Sequence, residues 1–297
     1  MKYMGEFLIC CDSSGDIPDN LVEQYGIRMI PYYVSFDKEN YQKERVEISV
    51  EDFYAKITTE KIYPKTSLPS IEDYKGVFEE TLDKGLDVLC ICLSQKFSGS
   101  YQAAVNARSI VLEERPEAKV VVIDSAWATA AEGLFILQAA KMKEAGYSFE
   151  DTVSKLEELK TKGRIAFTVD VLDYLQEGGR IGKAASLAGK MLNLKPLIQM
   201  KDGELIPYSN IRGRKKALEK IVEMTKEYFD ETGENPKDYE FVMTQCEALD
   251  EALKVQPKVE ELLGIKMQYE PFLIGTTIGT YTGPRVVGIS FIKKYDA

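Results

Sequence analysis

The stretch CLSQKFSGSYQAA, residues 92–104, joins the two patterns that decide the fold. An apolar run over residues 88–93 leads into its turn and is typical of a strand buried on both faces. A polar turn with Ser98, Gly99 and Ser100 follows, and helical periodicity begins at Tyr101. A strand that ends in a serine- and glycine-rich turn before a helix can bind an anion through amides and hydroxyls, or can hold a nucleophilic serine.

The alternation of strand and helix continues along the chain. Candidate strands occupy residues 7–11, 28–35, 87–93, 119–123, 164–169, 240–244 and 286–292. Helical periodicity occupies residues 74–84, 101–114, 133–144, 149–160, 215–227 and 249–263. This order predicts an α/β fold with right-handed crossovers. A charged segment over residues 159–164, followed by a different residue pattern, predicts two domains, residues 1–163 and residues 164–297.

The composition excludes several classes of function. The 297 residues carry a net charge of −10, which argues against sequence-independent nucleic-acid binding because that requires a basic surface. The chain contains no histidine, so Ser-His-Asp and Cys-His catalysis and histidine-ligated metals are excluded. No apolar run is long enough to predict a membrane-spanning helix, and the first residues lack the apolar core of a signal peptide.

The cysteines indicate the compartment. There are five, and none forms a C-x-x-C pair, so neither a zinc site nor another metal or cofactor is expected. Four of them lie in apolar runs and are interpreted as small buried side chains. Their odd number and expected burial are typical of the reducing cytoplasm, where we expect this protein.

Three small, hydroxyl-rich loops follow predicted strands. They are DSSGDIP at 12–18, SQKFSGS at 94–100 and DSAWATAAEG at 124–133. Ligands bind at the carboxyl edge of open α/β sheets, so we expect the three loops to converge on one ligand. Ordinary strand-to-helix turns with Ser and Asp caps are the simpler explanation of each loop taken alone.

Two motifs in the second half each allow two interpretations. The stretch EGGRIGKAA, residues 177–185, is one residue short of a P-loop and has Ala184 where the P-loop has a hydroxyl. Gly178 and Gly179 are expected to end a helix, and Arg180 either accompanies that cap or binds an anion. Residues 186–196 are interpreted as a packed helix, or as a helix of small residues beside an apolar tunnel.

The segment that follows predicts a hairpin and a basic cluster. Asp202-Gly203 is a strong turn signal between two predicted strands. Arg212 and Arg214, with two adjacent lysines, form the basic cluster of an acidic protein. The cluster is either a solvated helix start or a docking face for an acidic partner.

Ser98 is a poor candidate for a nucleophile. It has no histidine to act as its base, and Lys96 alone does not complete a Ser-Lys arrangement. As a hydrogen-bond donor near a helix N-terminus, Ser98 suits an anionic ligand. In KTSLPS, residues 65–70, Ser70 and Asp73 predict an N-cap, which leaves Thr66 available for another role.

Seven motifs in order resemble the DegV family of bacterial fatty-acid-binding proteins, and they span nearly the whole chain. They are DSSGDIP at 12–18, PKTSLPSIEDY at 64–74, LSQKFSGSYQAA at 93–104, VIDSAWATAAEGL at 122–134, DYLQEGGRIG at 173–182, LNLKPLIQMKDGELIPYSNIRG at 192–213 and TYTGPRVVGISF at 280–291.

The resemblance implies a parallel-sheet α/β domain and an α/β sandwich domain, with a long-chain fatty acid buried between them. It implies that hydroxyls of Thr66 and Ser98, in the turn with Gly99 and Ser100, hold the carboxylate, with Arg180 nearby. Burial of the tail, at about 0.8 kcal/mol per CH₂, would contribute roughly 10 kcal/mol for a sixteen-carbon chain before ordering costs.

The resemblance further implies a carrier without turnover that presents its lipid to a separate fatty-acid kinase, with Arg212 and Arg214 on the docking face. This chain departs from the family where many members have H-[TV]-G-P-G, because it has YTGPR at 281–285. Tyr281 can donate a hydrogen bond in place of that histidine but cannot carry its positive charge. An enzyme that uses the same cleft, as a hydrolase or phosphotransferase, and a lipid-filled regulatory protein remain alternatives.

Overall fold

The computed structural model describes residues 6–188 and 193–297, and it confirms the α/β class. The N-terminal half is built on four parallel strands in the order β2-β1-β6-β7. Their bounds are Phe7–Asp12 for β1, Arg28–Ile30 for β2, Asp87–Cys92 for β6 and Val120–Asp124 for β7. The central strands β1 and β6 are apolar except for Asp12 and Asp87 at their ends, because helices cover both faces of the sheet.

Six helices surround this sheet. They are α1 (Asp19–Tyr25), α2 (Val50–Glu60), α3 (Ile71–Asp83), α4 (Ser100–Glu114), α5 (Thr129–Glu144) and α6 (Phe149–Leu159). The predicted cap of α3 is confirmed, because the Ser70 hydroxyl accepts from Asp73 N and the Asp73 carboxylate accepts from Ser70 N. Helices α1 and α2 were not predicted, and α5 begins four residues before the predicted start.

The single strand predicted over residues 28–35 is wrong. Strand β2 ends at Ile30, and β3 (Tyr33–Ser35) belongs to a separate three-stranded antiparallel sheet in the order β4-β3-β5. The other two strands are β4 (Gln42–Lys43) and β5 (Lys65–Ser67). Pro31 lies at the break and has no N–H to continue a ladder, so the chain changes sheets there.

The C-terminal half is built on a mixed six-stranded sheet in the order β10-β9-β8-β13-β11-β12. The strands are β8 (Gly163–Thr168), β9 (Leu194–Lys201), β10 (Glu204–Arg212), β11 (Tyr239–Cys246), β12 (Phe272–Leu273) and β13 (Val286–Lys293). All neighbours are antiparallel except β11 and β12. The predicted hairpin is confirmed, since Asp202 and Gly203 have φ values of 50° and 79° between paired strands.

Four α-helices are described in this half: α7 (Asp173–Glu177), α8 (Arg214–Thr232), α9 (Leu249–Leu263) and α10 (Thr276–Thr282). The helix interpretation of residues 186–196 is wrong where the chain is described. A 3₁₀ helix covers Gly182–Leu187 and strand β9 starts at Leu194. Residues 189–192 of that prediction lie outside the described residues.

Helix α5 lies between the two sheets and packs against strands of both. It is buried on nearly all sides, which explains its lack of an apolar stripe. A β-carbon at Gly133 would lie 2.4 Å from Gly15 O, so glycine is what allows α5 to approach the first loop. We propose the domain boundary at residues 163 and 164, where β8, the first strand of the six-stranded sheet, begins. Within the described residues, no helix is long and apolar enough to cross a membrane.

Candidate functional site

A cavity of about 260 Å³ lies between the two halves of the chain. The six-stranded sheet and strand β5 contribute to its walls, together with the loops that follow β6 and β7, and the walls are mainly apolar. The larger apolar side chains include Leu93, Phe97, Ile165, Phe167, Met200 and Leu205. Among its described lining residues Arg180 is the one charged side chain, so the cavity suits a molecule with a long apolar part and a small polar end.

Ser98 lies at the polar end, in the turn before α4. Its Oγ accepts a hydrogen bond from the Tyr32 phenol at 2.7 Å and from Ser100 N at 3.2 Å. Burial raises the pKa of the Tyr32 phenol well above its usual range, so Tyr32 stays protonated and acts as a donor. With both acceptor positions of Ser98 occupied, its own proton is available for an acceptor in the cavity.

Thr66 and Tyr281 form a second hydroxyl pair at the cavity wall. Thr66 Oγ1 on β5 lies 2.6 Å from Tyr281 Oη on α10, although 215 residues separate them in the chain. Each hydroxyl has one proton, and their mutual hydrogen bond uses only one of the two. The remaining proton is available for a ligand, so this pair can also act as a donor.

Arg180 follows the predicted glycine cap, in which Gly179 has a φ of 70°. Its guanidinium lies 4.9 Å from the centroid of the Tyr281 ring. Its Nε donates to Phe97 O at 3.2 Å and its Nη1 donates to Gly178 O at 2.8 Å. A β-carbon at Gly178 would lie 2.3 Å from Tyr281 Cδ1, so this glycine allows the phenol to pack here. Arg180 therefore accompanies the glycine cap and also lines the cavity, where it can bind an anion. Its two interpretations are compatible.

Of the six side chains predicted to bind ligand, Ser100 alone does not line the cavity. Thr66, Ser98, Gly99, Arg180 and Tyr281 all do. Ser100 is fully buried, and its hydroxyl donates to Asp12 Oδ2 at 2.9 Å. As the first residue of α4 its side chain turns back toward β1, so its role is to hold the turn that carries Ser98.

The three strand-end loops converge only in part. The second loop contributes Ser98, and the third contributes Ala128 and Thr129. The first loop does not line the cavity, because its Ser13 and Ser14 hydroxyls are buried against Glu44 and Glu132. It supports the other two loops from behind.

The first loop also connects the two halves of the chain. Glu44 accepts from Ser13 Oγ at 2.6 Å and from Thr277 Oγ1 at 2.7 Å, and Asp16 accepts from Gly275 N at 2.9 Å. Gly275 and Thr277 begin α10, which carries Tyr281. The buried carboxylates of the N-terminal half therefore position the helix that supplies the second hydroxyl pair.

Arg285 does not line the cavity. Its guanidinium is half exposed and contacts Asp170 at 3.4 Å and Glu251 at 3.0 Å. Its backbone has a φ of 61°, a conformation that favours the glycine of the family pattern. Arginine in place of the family glycine at position 285 therefore alters the surface beside the site and adds no side chain to the cavity wall.

The two arginines of the basic cluster differ. Arg212 is exposed, at the end of β10. The Arg214 side chain is only 15% exposed, and its Nε and Nη2 donate to Glu251 Oε2 at 2.9 and 2.7 Å. Arg214 is thus engaged within the protein, and Lys215 and Lys216 provide the other exposed charges of the cluster.

Lys96, the lysine nearest to Ser98 in the sequence, is engaged elsewhere. Lys96 donates to Asp202 O at 3.1 Å and pairs with Glu204 at 3.4 Å, so it is directed away from a general-base role. Among residues 6–188 and 193–297, no group of three or more potential metal ligands is present.

Sequence reasoning missed Tyr32, Thr129 and Thr277 as lining residues. Tyr32 and Thr277 lie outside the three loops that were expected to bind a ligand. Thr129 lies within the third loop, but no pattern marked it individually. Pro31 could have indicated Tyr32 as a lining residue, because a proline interrupts the strand there and the next residue lies beyond the end of β2.

Comparisons with known proteins agree along the whole chain. The family model described as "Uncharacterised protein, DegV family" matches residues 6–294. A DegV domain-containing protein from Caldanaerobacter subterraneus is 35% identical over 98% of this chain and 100% of its own length. A stearic acid-binding protein from Eubacterium ventriosum superposes with a TM-score of 0.93 at 38% identity, covering 98% of this chain and 99% of its own.

A DegV family protein from Thermus thermophilus, whose structure is described by its fatty-acid binding, gives a TM-score of 0.86 at 30% identity. The alignment covers 97% of this chain and 99% of that one. The family match and the full-length relatives confirm the resemblance seen in the seven motifs. This chain belongs to the DegV family.

Proposed function

We propose that this protein binds one long-chain fatty acid in the cavity between its two halves and acts as a carrier. The observation that carries the proposal is the combination of an apolar cavity with two hydroxyl pairs at one end, each with a spare proton. The fatty acids described for the Eubacterium and Thermus proteins support this choice of ligand.

The carboxylate is held by Ser98 and Thr66. A carboxylate removed from water needs hydrogen bonds or a counter-charge, and two hydroxyl donors beside the N-terminus of α4 provide the first. Arg180 provides the counter-charge, and backbone carbonyls already hold its Nε and Nη1 in place. Tyr281 acts through its hydrogen bond to Thr66 and through its ring contact with Arg180.

The acyl tail occupies the apolar part of the cavity. Each buried CH₂ contributes about 0.8 kcal/mol, so the tail provides most of the affinity and the hydroxyls provide the orientation. No cofactor is needed for this function, because nothing in it requires chemistry that side chains do not supply.

The carrier presents its lipid to a separate enzyme, a fatty-acid kinase that acts on the carboxylate, in the cytoplasm. The exposed Arg212, with Lys215 and Lys216, is the proposed docking face for an acidic partner. Arg214 supports this face through its ion pairs with Glu251 and Asp170. We do not assign catalysis to this chain, because Ser98 has hydrogen-bond partners but no base.

Native mass spectrometry of the protein purified from a bacterial host tests the proposal. We expect a stoichiometric adduct that solvent extraction recovers as a fatty acid. A protein that is empty and also refuses added palmitate would overturn the proposal and favour an enzyme or a scaffold. A filled protein with no detectable turnover of acyl esters or nucleotides would exclude the enzyme alternative.

A further inference from the structure

A chain of hydrogen bonds leads from the polar end of the cavity into the protein interior. Ser100 N donates to Ser98 Oγ at 3.2 Å, and Ser100 Oγ donates to Asp12 Oδ2 at 2.9 Å. Leu93 N donates to the same Asp12 oxygen at 3.0 Å. A fully buried carboxyl group therefore lies one residue behind the hydroxyl that we propose as a ligand donor.

Asp12 is linked in turn to a second buried carboxyl group. Ser14 Oγ lies 2.6 Å from Asp12 Oδ1 and 2.7 Å from Glu132 Oε2. A hydroxyl has one proton and can donate to only one of two carboxylates. The other short contact requires a proton on a carboxyl group, so Asp12 and Glu132 together hold at least one. Glu132 Oε1 is buried without a hydrogen-bond partner among the described residues, as suits a neutral acid.

Among the described residues neither Asp12 nor Glu132 forms an ion pair with a lysine or arginine, and the groups with the largest effect on the pKa of each include no positive charge. The ionisable groups that face it are Cys11 on β1, Asp16 in the first loop, Tyr32 before β3, Tyr74 on α3 and Cys92 on β6. All of them are acids, and burial raises the pKa of each phenol and thiol, so those groups are neutral. The Asp12 charge is stabilised by hydrogen bonds alone.

A ligand carboxylate bound at Ser98 brings a further negative charge close to Asp12. Arg180, the counter-charge that we propose for the ligand, contacts Phe97 O and Gly178 O and neither acid of the cluster. Like charges in a poorly solvated region repel strongly, and the repulsion is relieved when one of them takes up a proton. We propose that binding of a long-chain carboxylate is coupled to uptake of one proton from solvent by the Asp12–Ser14–Glu132 cluster. This inference rests on the proposed function. The proton converts a carboxylate of the cluster to the neutral acid, and no other bond changes.

The coupling has a definite sign. Burial already raises the pKa of Asp12, and the bound anion raises it further. Between the values in the free and bound protein, binding consumes a proton, so affinity falls as pH rises, by up to tenfold per pH unit for one proton. Outside that window the cluster contributes no pH dependence to the affinity.

Calorimetric titration of delipidated protein with palmitate tests the inference. The enthalpy is measured at one pH in several buffers of different ionisation enthalpy, and the slope gives the number of protons taken up. We expect a positive slope for the natural protein and a slope of zero for the double variant Asp12→Asn/Glu132→Gln, whose amides imitate the neutral acids. Asp87→Asn, at the amino end of β6 and away from the cavity, is the matched control and keeps the natural slope.

The outcomes separate the two proposals. Binding with a slope of zero in the natural protein overturns the proton coupling and leaves the carrier function intact. A positive slope that persists in the double variant assigns the proton to the ligand and also overturns the coupling to the cluster. Absence of palmitate binding overturns the carrier function and this inference with it. If the double variant fails to fold, the single variant Asp12→Asn replaces it in the same buffer series, and a natural slope in that variant likewise overturns the coupling to the cluster.

Discussion

Replacing Ser98 by alanine removes one hydroxyl from the polar end of the cavity and tests the proposed position of the carboxylate. In the natural protein, Tyr32 and Ser100 N donate to Ser98 Oγ, so its own proton is directed to the ligand. A hydrogen bond to a charged group contributes about 1.5–3 kcal/mol, which corresponds to roughly a 10- to 150-fold change in Kd.

The structure favours the lower part of this range. Without Ser98 Oγ, the Tyr32 phenol loses its acceptor and can turn its proton toward the ligand. We therefore expect Ser98→Ala to raise the Kd about 10- to 30-fold, and a Ser98→Ala/Tyr32→Phe double variant to approach the full loss. The free energy of unfolding of the single variant should fall by about 1–3 kcal/mol at most, because the buried Tyr32 phenol loses its acceptor.

The assay is displacement of a fluorescent fatty acid from delipidated protein by palmitate, with thermal unfolding measured in parallel. Ser109→Ala is the matched control, since it removes a serine hydroxyl from the exposed side of α4, the helix that follows Ser98. A Kd for Ser98→Ala within twofold of the natural protein, with the fold intact, would refute the carboxylate position and leave the apolar cavity without an assigned polar end.

Three further predictions concern the residues around the cavity. Glu44→Gln should lower the free energy of unfolding by about 1–3 kcal/mol in urea denaturation, because the amide opposes the Thr277 donors that hold α10; an unchanged value would contradict that anchoring role. Burial raises the pKa of Asp16 to about 8, so the folded state retains a proton that the unfolded state releases, and stability falls as pH rises from about 4 to about 8. Asp16→Asn, tolerated at a φ of 51°, should flatten this decrease in pH-dependent denaturation curves, and an identical slope would count against the assignment. Arg285→Gly should leave palmitate affinity unchanged because the guanidinium contacts Glu251 outside the cavity. The free energy of unfolding should also change little, because relief of about 1 kcal/mol of backbone strain offsets the lost ion pairs. A clear loss of palmitate affinity would place Arg285 in the site.

Several features of the fold follow from local sequence. Strand β6 and the turn after it were predictable because an apolar run, a polar turn and a helix start are each local patterns. The Asp202-Gly203 hairpin and the Ser70 cap were predictable for the same reason, since each depends on residues within a few positions of one another.

Errors arose where a longer-range choice overruled the local pattern. Residues 28–35 read as one strand, but Pro31 interrupts the ladder and the second part pairs with β5. Ser100 belongs to the motif that resembles a binding turn, yet its side chain faces Asp12, because helix geometry turns the first residue of α4 away from the cavity. Thr129 and Thr277 were missed because nothing local distinguishes a hydroxyl at a cavity wall from one at a surface.

The sequence by itself determined the class of fold, the alternation of strand and helix, the absence of histidine chemistry and the turn that carries Ser98, because these depend on composition and on short-range periodicity. The tertiary structure decided which hydroxyls meet at the cavity. Thr66 and Tyr281 are 215 residues apart, and Ser98 reaches Tyr32 across 66 residues, so neither pair leaves a local signal. The tertiary structure also decided that Asp12 and Glu132 contact the same buried Ser14 hydroxyl. The two acids are far apart in the N-terminal half of the sequence, and the packing of α5 against the first loop brings them together.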